Sequence, residues 1–139
     1  MNILVINGPN LNMLGKRPKE HYGTYTLDQI NDLMKNNASP DMRFEFFQSN
    51  SEGDIVTKIQ EAVLNNLDAI IINPGAYTHT SVAIHDALEM FLGKKIEVHL
   101  SKVDEREDFR KINFVRDVCD ASFQGKFEGS YIEAINYLK

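Results

Sequence analysis

The fold of the chain is decided by the stretch Ile3-Leu4-Val5-Ile6-Asn7-Gly8-Pro9. Its apolar, mostly β-branched run is ended by the turn-forming residues Asn, Gly and Pro. Such a run is typical of a strand in a parallel sheet covered on both faces, because neither side of the strand meets water. The stretch Ala69-Ile70-Ile71-Ile72-Asn73-Pro74-Gly75 repeats this pattern. The sequence therefore predicts two buried parallel strands.

Helices and strands are predicted to alternate along the rest of the chain. The helices are expected to begin near residues 26, 51, 80 and 131, and the further strands to cover residues 44–47, 96–101 and 118–123. Thr26 and Gln29 have the spacing of a capping box, and Gly93 is predicted to end the third helix. Because such alternation implies right-handed crossovers, we expect a flavodoxin-like, doubly wound, five-stranded parallel sheet in an α/β/α arrangement.

Length and composition predict one soluble domain over residues 1–139. The hydrophobic fraction of 42% and charged fraction of 25% are ordinary for globular proteins, and the net charge of -5 argues against binding to a nucleic-acid backbone. Cys119 has no cysteine partner for an internal disulfide, and no apolar run is long enough to cross a membrane. The first residues lack the basic and apolar regions of an export signal. We therefore expect a cytoplasmic protein.

A long loop is predicted to follow the first strand. Residues 8–25 show neither helical nor alternating periodicity, yet they include Asn10, Arg17 and Tyr22. Loops of this length in compact domains are usually lids or binding loops. The apolar residues Leu11 and Leu14 favour docking over disorder. We therefore expect a lid with no regular element.

Three polar segments are predicted to meet at one edge of the sheet. In open parallel sheets, ligands bind outside the carboxyl ends of the strands. This rule selects residues 7–10, 73–79 and 99–101, which are uncharged apart from histidine, with arginines nearby at positions 17, 106 and 110. Such a lining suits a polyhydroxylated, anionic small molecule.

The same residues disfavour some other classes of function and leave two open. No Gly-x-Gly-x-x-Gly or phosphate-loop lysine follows the first strand, which disfavours nucleotide binding. Asn7 and Asn10 stand where a phosphoacceptor domain needs acidic residues. Glu97 and His99 lie on one side of an alternating strand, and with His79 they form a generic set of metal ligands. A metal-dependent hydrolase and a non-catalytic metabolite-binding module remain alternatives.

Six ordered segments carry a resemblance to a known family. They are Asn7-Gly8-Pro9-Asn10-Leu11-Asn12, Leu14-Gly15-x-Arg17, Tyr22-Gly23, Phe47-Gln48-Ser49-Asn50-x-Glu52-Gly53, the run from Ile72 to Ser81, and Glu97-Val98-His99-Leu100-Ser101. Together they resemble type II 3-dehydroquinate dehydratase. The resemblance implies a lyase of the shikimate pathway of aromatic amino-acid biosynthesis, which converts 3-dehydroquinate to 3-dehydroshikimate and water. It also implies that no cofactor and no metal is needed.

The resemblance also implies a catalytic role for five residues. Tyr22 is the expected base for the proton beside the ketone, and Arg17 the cation that favours its phenolate, since a phenol ordinarily has a pKa of about 10. His99 is the expected acid for the departing hydroxyl, oriented by Glu97 on the same strand face. Asn10 is expected to steady the enolate through water.

The remaining expected site residues bind substrate. By resemblance they are Asn73, Gly75, Ala76, His79, Leu100, Ser101, Arg106 and Arg110, with Asp86 reaching the site of a neighbouring subunit. The family's homododecamer, a tetramer of trimers, is implied as well. The chain departs from the usual family pattern at Pro18-Lys19, at Ser51 and around Ile112-Asn113. The shifted proline is expected to alter the backbone of the lid.

Overall fold

The central sheet has five parallel strands. A computed structural model describes residues 1–139. The strands are β1 (Asn2–Asn7), β2 (Arg43–Gln48), β3 (Ala69–Asn73), β4 (Lys94–His99) and β5 (Ala121–Gln124), in the order β2-β1-β3-β4-β5. All four neighbouring pairs are parallel. This is the flavodoxin-like order, so the predicted fold class is confirmed.

Helices cover both faces of the sheet. They are α1 (Lys19–Tyr22), α2 (Leu27–Asn36), α3 (Glu52–Leu64), α4 (Val82–Glu89) and α5 (Gly129–Leu138). The buried residues of α2 and α5 pack with one face of β1, β3 and β4, whereas those of α3 and α4 pack with the opposite face of β1 and β3. Because β1 and β3 are buried on both sides, they are apolar along nearly their whole length, as the sequence predicted.

Two predicted helix starts are confirmed by their caps. The Thr26 hydroxyl oxygen accepts from the Gln29 backbone N–H at 3.2 Å, and the Gln29 side chain accepts in return from the Thr26 N–H at 3.0 Å. The Ser51 hydroxyl accepts from the Asp54 N–H at 3.2 Å and opens α3. Each cap satisfies backbone donors that the first turn of a helix leaves free.

The predicted third helix begins near residue 80, as expected, but its predicted end was wrong. Residues 75–79 form a 3-10 turn, so α4 begins after Ser81, and it ends at Glu89. Gly93 is therefore not its terminal glycine. A Cβ at Gly93 would lie 2.4 Å from the carbonyl oxygen of Asp68, so glycine there permits a close approach between two backbone segments.

Two further expectations need correction. The fifth strand covers residues 121–124 rather than 118–123, because residues 116–118 form a 3-10 turn. The loop of residues 8–25 was predicted to lack regular structure, but it contains a 3-10 turn at Leu11–Met13 and the short helix α1. Its Leu11 and Leu14 are buried in the core, as expected. None of the helices has both the length and the apolar composition needed to cross a bilayer.

Candidate active site

A cavity of about 130 Å³ lies at the carboxyl ends of β1, β3 and β4. Every predicted site residue lines it except Glu97 and Asp86. The predicted residues that do so are Asn10, Arg17, Tyr22, Asn73, Gly75, Ala76, His79, His99, Leu100, Ser101, Arg106 and Arg110. The switch-point rule, applied to the sequence alone, thus selected residues that the fold brings together.

One wall of the cavity is formed by α1 and the arginines around it. Pro18 precedes this helix, and its carbonyl oxygen accepts from the Tyr22 N–H at 3.1 Å. The Tyr22 hydroxyl oxygen lies 2.7 Å from Arg17 Nη2 and 2.9 Å from Arg106 Nη1, and the Arg17 guanidinium stacks 3.6 Å from the ring centre. Two cations therefore point donors at one phenolic oxygen, which favours negative charge there.

Burial and mutual repulsion oppose the positive charges of the arginines in this wall. Burial lowers the pKa of Arg17, and the nearby positive charges of Arg106 and Arg110 lower it further, whereas Tyr22 raises it. Arg106 also donates to the Ser101 hydroxyl at 3.2 Å, and its Nε is buried without a partner. Sequence reasoning had given Arg106 a substrate-binding role and had not predicted its contact with Tyr22.

The opposite wall is part of the sheet. Alternation along β4 puts Glu97 and His99 on the same side, as predicted, and both are buried. His99 Nε2 lies 3.1 Å from Glu97 Oε2 and 3.4 Å from the Thr78 hydroxyl. The other ring nitrogen, Nδ1, has no partner within the protein. That nitrogen is the one available to a ligand in the cavity.

Glu97 is held by four neighbours. Its Oε1 accepts from the Ser122 hydroxyl at 2.5 Å and from Arg116 Nε at 3.1 Å, and its Oε2 accepts from Asn113 Nδ2 at 2.7 Å. Burial opposes ionisation of Glu97, but hydrogen bonds from His99, Ser122 and Asn113 lower its pKa to about 2. Glu97 is therefore an ionised carboxylate that fixes the His99 ring from behind.

The partners of Glu97 and His99 were missed by sequence reasoning. Asn113 and Arg116 belong to a connection without periodicity, and Ser122 to a strand whose start was placed three residues too early. Thr78 belongs to the segment 73–79, in which other residues were assigned roles but Thr78 was not. The departure noted around Ile112-Asn113 was the one sequence signal that pointed to this group.

The floor of the cavity is a buried bridge of side chains. The fully buried Tyr131 hydroxyl donates to Asn7 Oδ1 at 2.5 Å and accepts from Asn73 Nδ2 at 2.9 Å. Burial raises the pKa of Tyr131, so this hydroxyl stays protonated. The Gly75 N–H donates to Asn73 Oδ1 at 3.1 Å, which fixes the amide orientation. One N–H of Asn73 Nδ2 is left for a ligand.

His79 lies beside the segment 108–112, which also carries Arg110. His79 Nδ1 is 2.7 Å from the carbonyl oxygen of Ile112, and because a carbonyl can only accept, Nδ1 carries the proton. Burial lowers the pKa of His79, and the nearby charge of Arg110 adds to this effect. A neutral His79 presents Nε2 as an acceptor. Arg110 Nε donates to Glu107 at 2.7 Å.

Backbone donors complete the lining after β4. The N–H groups of Leu100 and Ser101 have no acceptor within the protein. Arg106 Nη1, 3.2 Å from the Ser101 hydroxyl, adds positive charge next to them. Free backbone amides with a neighbouring cation form a site for a small anion such as a carboxylate.

Asn10 and Asp86 occupy less constrained positions. Asn10 has a left-handed backbone with φ of 71°, and its N–H donates to Asn50 Oδ1 at 3.0 Å, which directs this residue to the cavity mouth. Asp86 lies on the exposed side of α4 beside His85, with 2.9 Å between its Oδ1 and the ring Nδ1. Asp86 therefore does not contribute to the cavity of its own chain.

The arrangement is suited to proton transfer on an anionic, hydroxylated substrate. A phenol under two cations and an imidazole backed by a carboxylate line one cavity, together with free amide donors. A base, an acid and an anion site are the elements that an elimination beside a carbonyl requires.

The chain is similar to known proteins along its whole length. The whole chain, residues 1–139, matches the family described as "Dehydroquinase class II". The chain is 48% identical to a 3-dehydroquinate dehydratase of Fusobacterium nucleatum subsp. nucleatum, over 99% of this chain and 96% of the relative. It is 50% identical to a 3-dehydroquinate dehydratase of Helicobacter acinonychis, over 90% of this chain and 76% of that relative. A crystal structure of type II dehydroquinase from Butyrivibrio crossotus superposes with a TM-score of 0.95 at 49% identity, covering 99% of this chain and 97% of the other.

Proposed function

The chain belongs to the class II dehydroquinase family, and we propose that it dehydrates 3-dehydroquinate to 3-dehydroshikimate by stepwise elimination through an enolate. As a member of that family it is a lyase acting in the shikimate pathway. The observation that carries the mechanism is the Tyr22 hydroxyl held between Arg17 and Arg106, in a cavity that His99 also lines.

The first step is removal of the proton beside the ketone. Tyr22, as a phenolate, takes the proton, and the electron pair of the broken C–H bond becomes the enolate. The guanidiniums of Arg17 and Arg106 support this base because each donates to its oxygen, at 2.7 and 2.9 Å. Asn10 at the cavity mouth steadies the enolate oxygen, directly or through a water.

The second step is loss of the β-hydroxyl. The enolate electron pair forms the new double bond as the C–O bond breaks, and His99 Nδ1 gives a proton to the departing oxygen, which leaves as water. Glu97 supports this role by engaging Nε2 at 3.1 Å, which keeps Nδ1 toward the cavity. The proton gained by Tyr22 returns to His99 before the next cycle, so the protons balance.

Binding groups surround these two residues. We assign the substrate carboxylate to the free N–H groups of Leu100 and Ser101, and the ring hydroxyls to Asn73, His79 and Arg110. The neutral His79 accepts a hydrogen bond at Nε2, whereas Asn73 donates one. Gly75 and Ala76 form the adjoining wall, and bulky side chains at these positions would reduce the space for substrate.

Residues 8–25 are proposed to act as a lid over this site in a single catalytic domain. Tyr22 belongs to the lid, and its hydroxyl is held by the side chains of Arg17 and Arg106 rather than by backbone bonds of the sheet. Opening the lid therefore moves the base away from the substrate. We also propose a cytoplasmic homododecamer in which Asp86 reaches the site of a neighbouring subunit. The exposure of Asp86 on α4 supports this role.

Absorbance of the conjugated enone product tests the proposal. Pure, metal-free protein mixed with 3-dehydroquinate is expected to raise ultraviolet absorbance with steady turnover. Binding of quinate-like acids in calorimetry without product would instead indicate a binding module, and turnover that depends on added metal would indicate a metalloenzyme. Trapping of the substrate on a lysine by borohydride would contradict the enolate route.

A further inference from the structure

We propose that Arg116 is a positioning residue that sets the proton affinity of His99 through Glu97, and that Asn113 holds Arg116 and Glu97 together. The inference concerns two residues of a connection that sequence reasoning left without a role. It deepens the proposed function, because its catalytic consequence rests on His99 acting as the acid.

The carboxylate of Glu97 is divided between two groups that can carry positive charge. Its Oε2 contacts His99 Nε2 at 3.1 Å, and its Oε1 contacts Arg116 Nε at 3.1 Å. A carboxylate that faces an imidazole alone strongly favours the imidazolium. A permanent guanidinium on the other oxygen weakens that preference, and His99 then releases its proton more easily.

Arg116 is fixed in this position by its own partners. Its Nη1 donates to Asp104 Oδ2 at 3.0 Å, and Asp104 in turn accepts from Gln124 Nε2 at 2.8 Å. Burial opposes the charge of Arg116, but the nearby Glu97 and Asp104 raise its pKa, so the guanidinium remains charged.

Asn113 joins the two parts with one side chain. Its Oδ1 accepts from the backbone N–H groups of Val115 and Arg116 at 2.9 and 2.8 Å, while its Nδ2 donates to Glu97 Oε2 at 2.7 Å. The turn that presents Arg116 is therefore tied to the carboxylate that Arg116 contacts. The preceding residue, Ile112, fixes His79 through its carbonyl oxygen, so this connection supports both cavity histidines.

Other charges also face His99, but they act from different directions. Arg17, Arg106, Arg110, Tyr22 and His79 lie around the same cavity, and Asp104 lies behind Arg116. None of the cavity groups bonds to Glu97, whose partners are His99, Asn113, Arg116 and Ser122. Arg116 is therefore the one arginine that acts on the carboxylate itself.

The test is the titration of His99 in the empty enzyme. Four histidines are present, and ¹⁵N-labelled histidine spectra are assigned with His99→Gln. In Arg116→Gln, Ser122 and Asn113 still hold the Glu97 carboxylate, so the midpoint of His99 should rise above that of the wild type. Arg116→Lys should restore most of the wild-type midpoint. Arg43→Gln removes one charge from an exposed site on β2 and should leave the midpoint unchanged.

Catalysis gives a second readout. Arg116→Gln should lower kcat several-fold and move the alkaline limit of the pH profile upward, with little change in KM, because a weaker acid affects the chemical step. An unchanged His99 midpoint in folded Arg116→Gln would overturn the inference. If that variant does not fold, Arg116→Met, which keeps the aliphatic stem and leaves every other partner of Glu97 in place, decides in the same way and should also raise the midpoint. The titration needs no turnover, so an inactive wild-type enzyme would refute the proposed function and leave this measurement decisive.

Discussion

Tyr22 and His99 line the same cavity, but the chain holds them by different means. His99 ends a central strand, is buried, and shares a carboxylate that three further side chains fix in place. Tyr22 belongs to the four-residue helix α1, is only half-buried, and has its hydroxyl oxygen held by two arginine side chains. The proposed acid is therefore part of the sheet, whereas the proposed base is attached to the sheet by side-chain contacts.

This difference separates what must be rigid from what must move. A buried carboxylate held by four side chains keeps its geometry when the cavity is empty. A short loop element whose side chain is held by two charged hydrogen bonds and by packing at the margin of the core has fewer contacts to lose. Under the proposed mechanism, the lid opens to admit substrate while His99 stays in position, and closure brings Tyr22 to the substrate.

The largest effect is expected from Tyr22→Phe. Removal of a general base or acid lowers rates by about 10²- to 10⁴-fold, so kcat should fall within that range. Because the His99 network lies on the other wall, its titration midpoint should change little and the fold should be retained. His99→Ala should lose a similar share of kcat. Near-normal turnover in either variant would refute that residue's role, and a large change of the His99 midpoint in Tyr22→Phe would show that the two walls are coupled.

Acid should weaken the strand-borne wall in a measurable way. The pKa of Glu97 is about 2 in the folded protein, below its ordinary value of 4.5, so its stabilisation is complete above about pH 4.5 and is lost as the pH falls through 2. A depression of this size corresponds to about 3 kcal/mol. The free energy of unfolding, measured with urea, should therefore fall by about 3 kcal/mol more between pH 5 and 2 in wild type than in Glu97→Gln. Equal pH dependence in the two proteins would contradict the ionised network.

The smallest effect is expected at the end of α1. Gly23 has φ of 72° and ψ of -160°, a conformation essentially restricted to glycine, so Gly23→Ala should strain the lid by about 1–3 kcal/mol. With substrate analogue bound, amide exchange of residues 16–24 should slow strongly in wild type and much less in the variant. Gly53→Ala, within α3 where an added Cβ meets no close neighbour, is the matched control and should behave as wild type. Equal protection of residues 16–24 with and without ligand would contradict the lid.

Much of the fold was predictable because local chemistry and burial agree there. Strands β1 and β3 are apolar since both faces are covered, and Thr26 and Ser51 cap helices with neighbours three residues away. Gly93 was wrongly predicted to end a helix. A glycine is needed at this position because its backbone closely approaches Asp68, which is distant in sequence. The start of β5 was predicted three residues too early because its four residues are only half-buried and carry a weak pattern.

The site divides along the same line. Residues at strand ends, such as Asn73 and His99, were identified because topology alone brings strand ends together. The contact of Arg106 with Tyr22 spans 84 residues, and that of Ser122 with Glu97 joins two strands, so no local pattern reports either. Asp86 differs from these residues because the resemblance alone assigned it a role, at the site of a neighbouring subunit, and it does not line the cavity of its own chain.

The Tyr131 bridge links the order of synthesis of the chain to the completion of the site. Its hydroxyl joins Asn7 to Asn73, and the bond to Asn7 spans 124 residues. A nascent chain that has passed residue 73 but not residue 131 leaves both amides without this partner. Loop closure over such a distance also carries an entropic cost that is repaid only when α5 packs on the sheet. The bridge beneath the cavity therefore forms only after α5 has been synthesised.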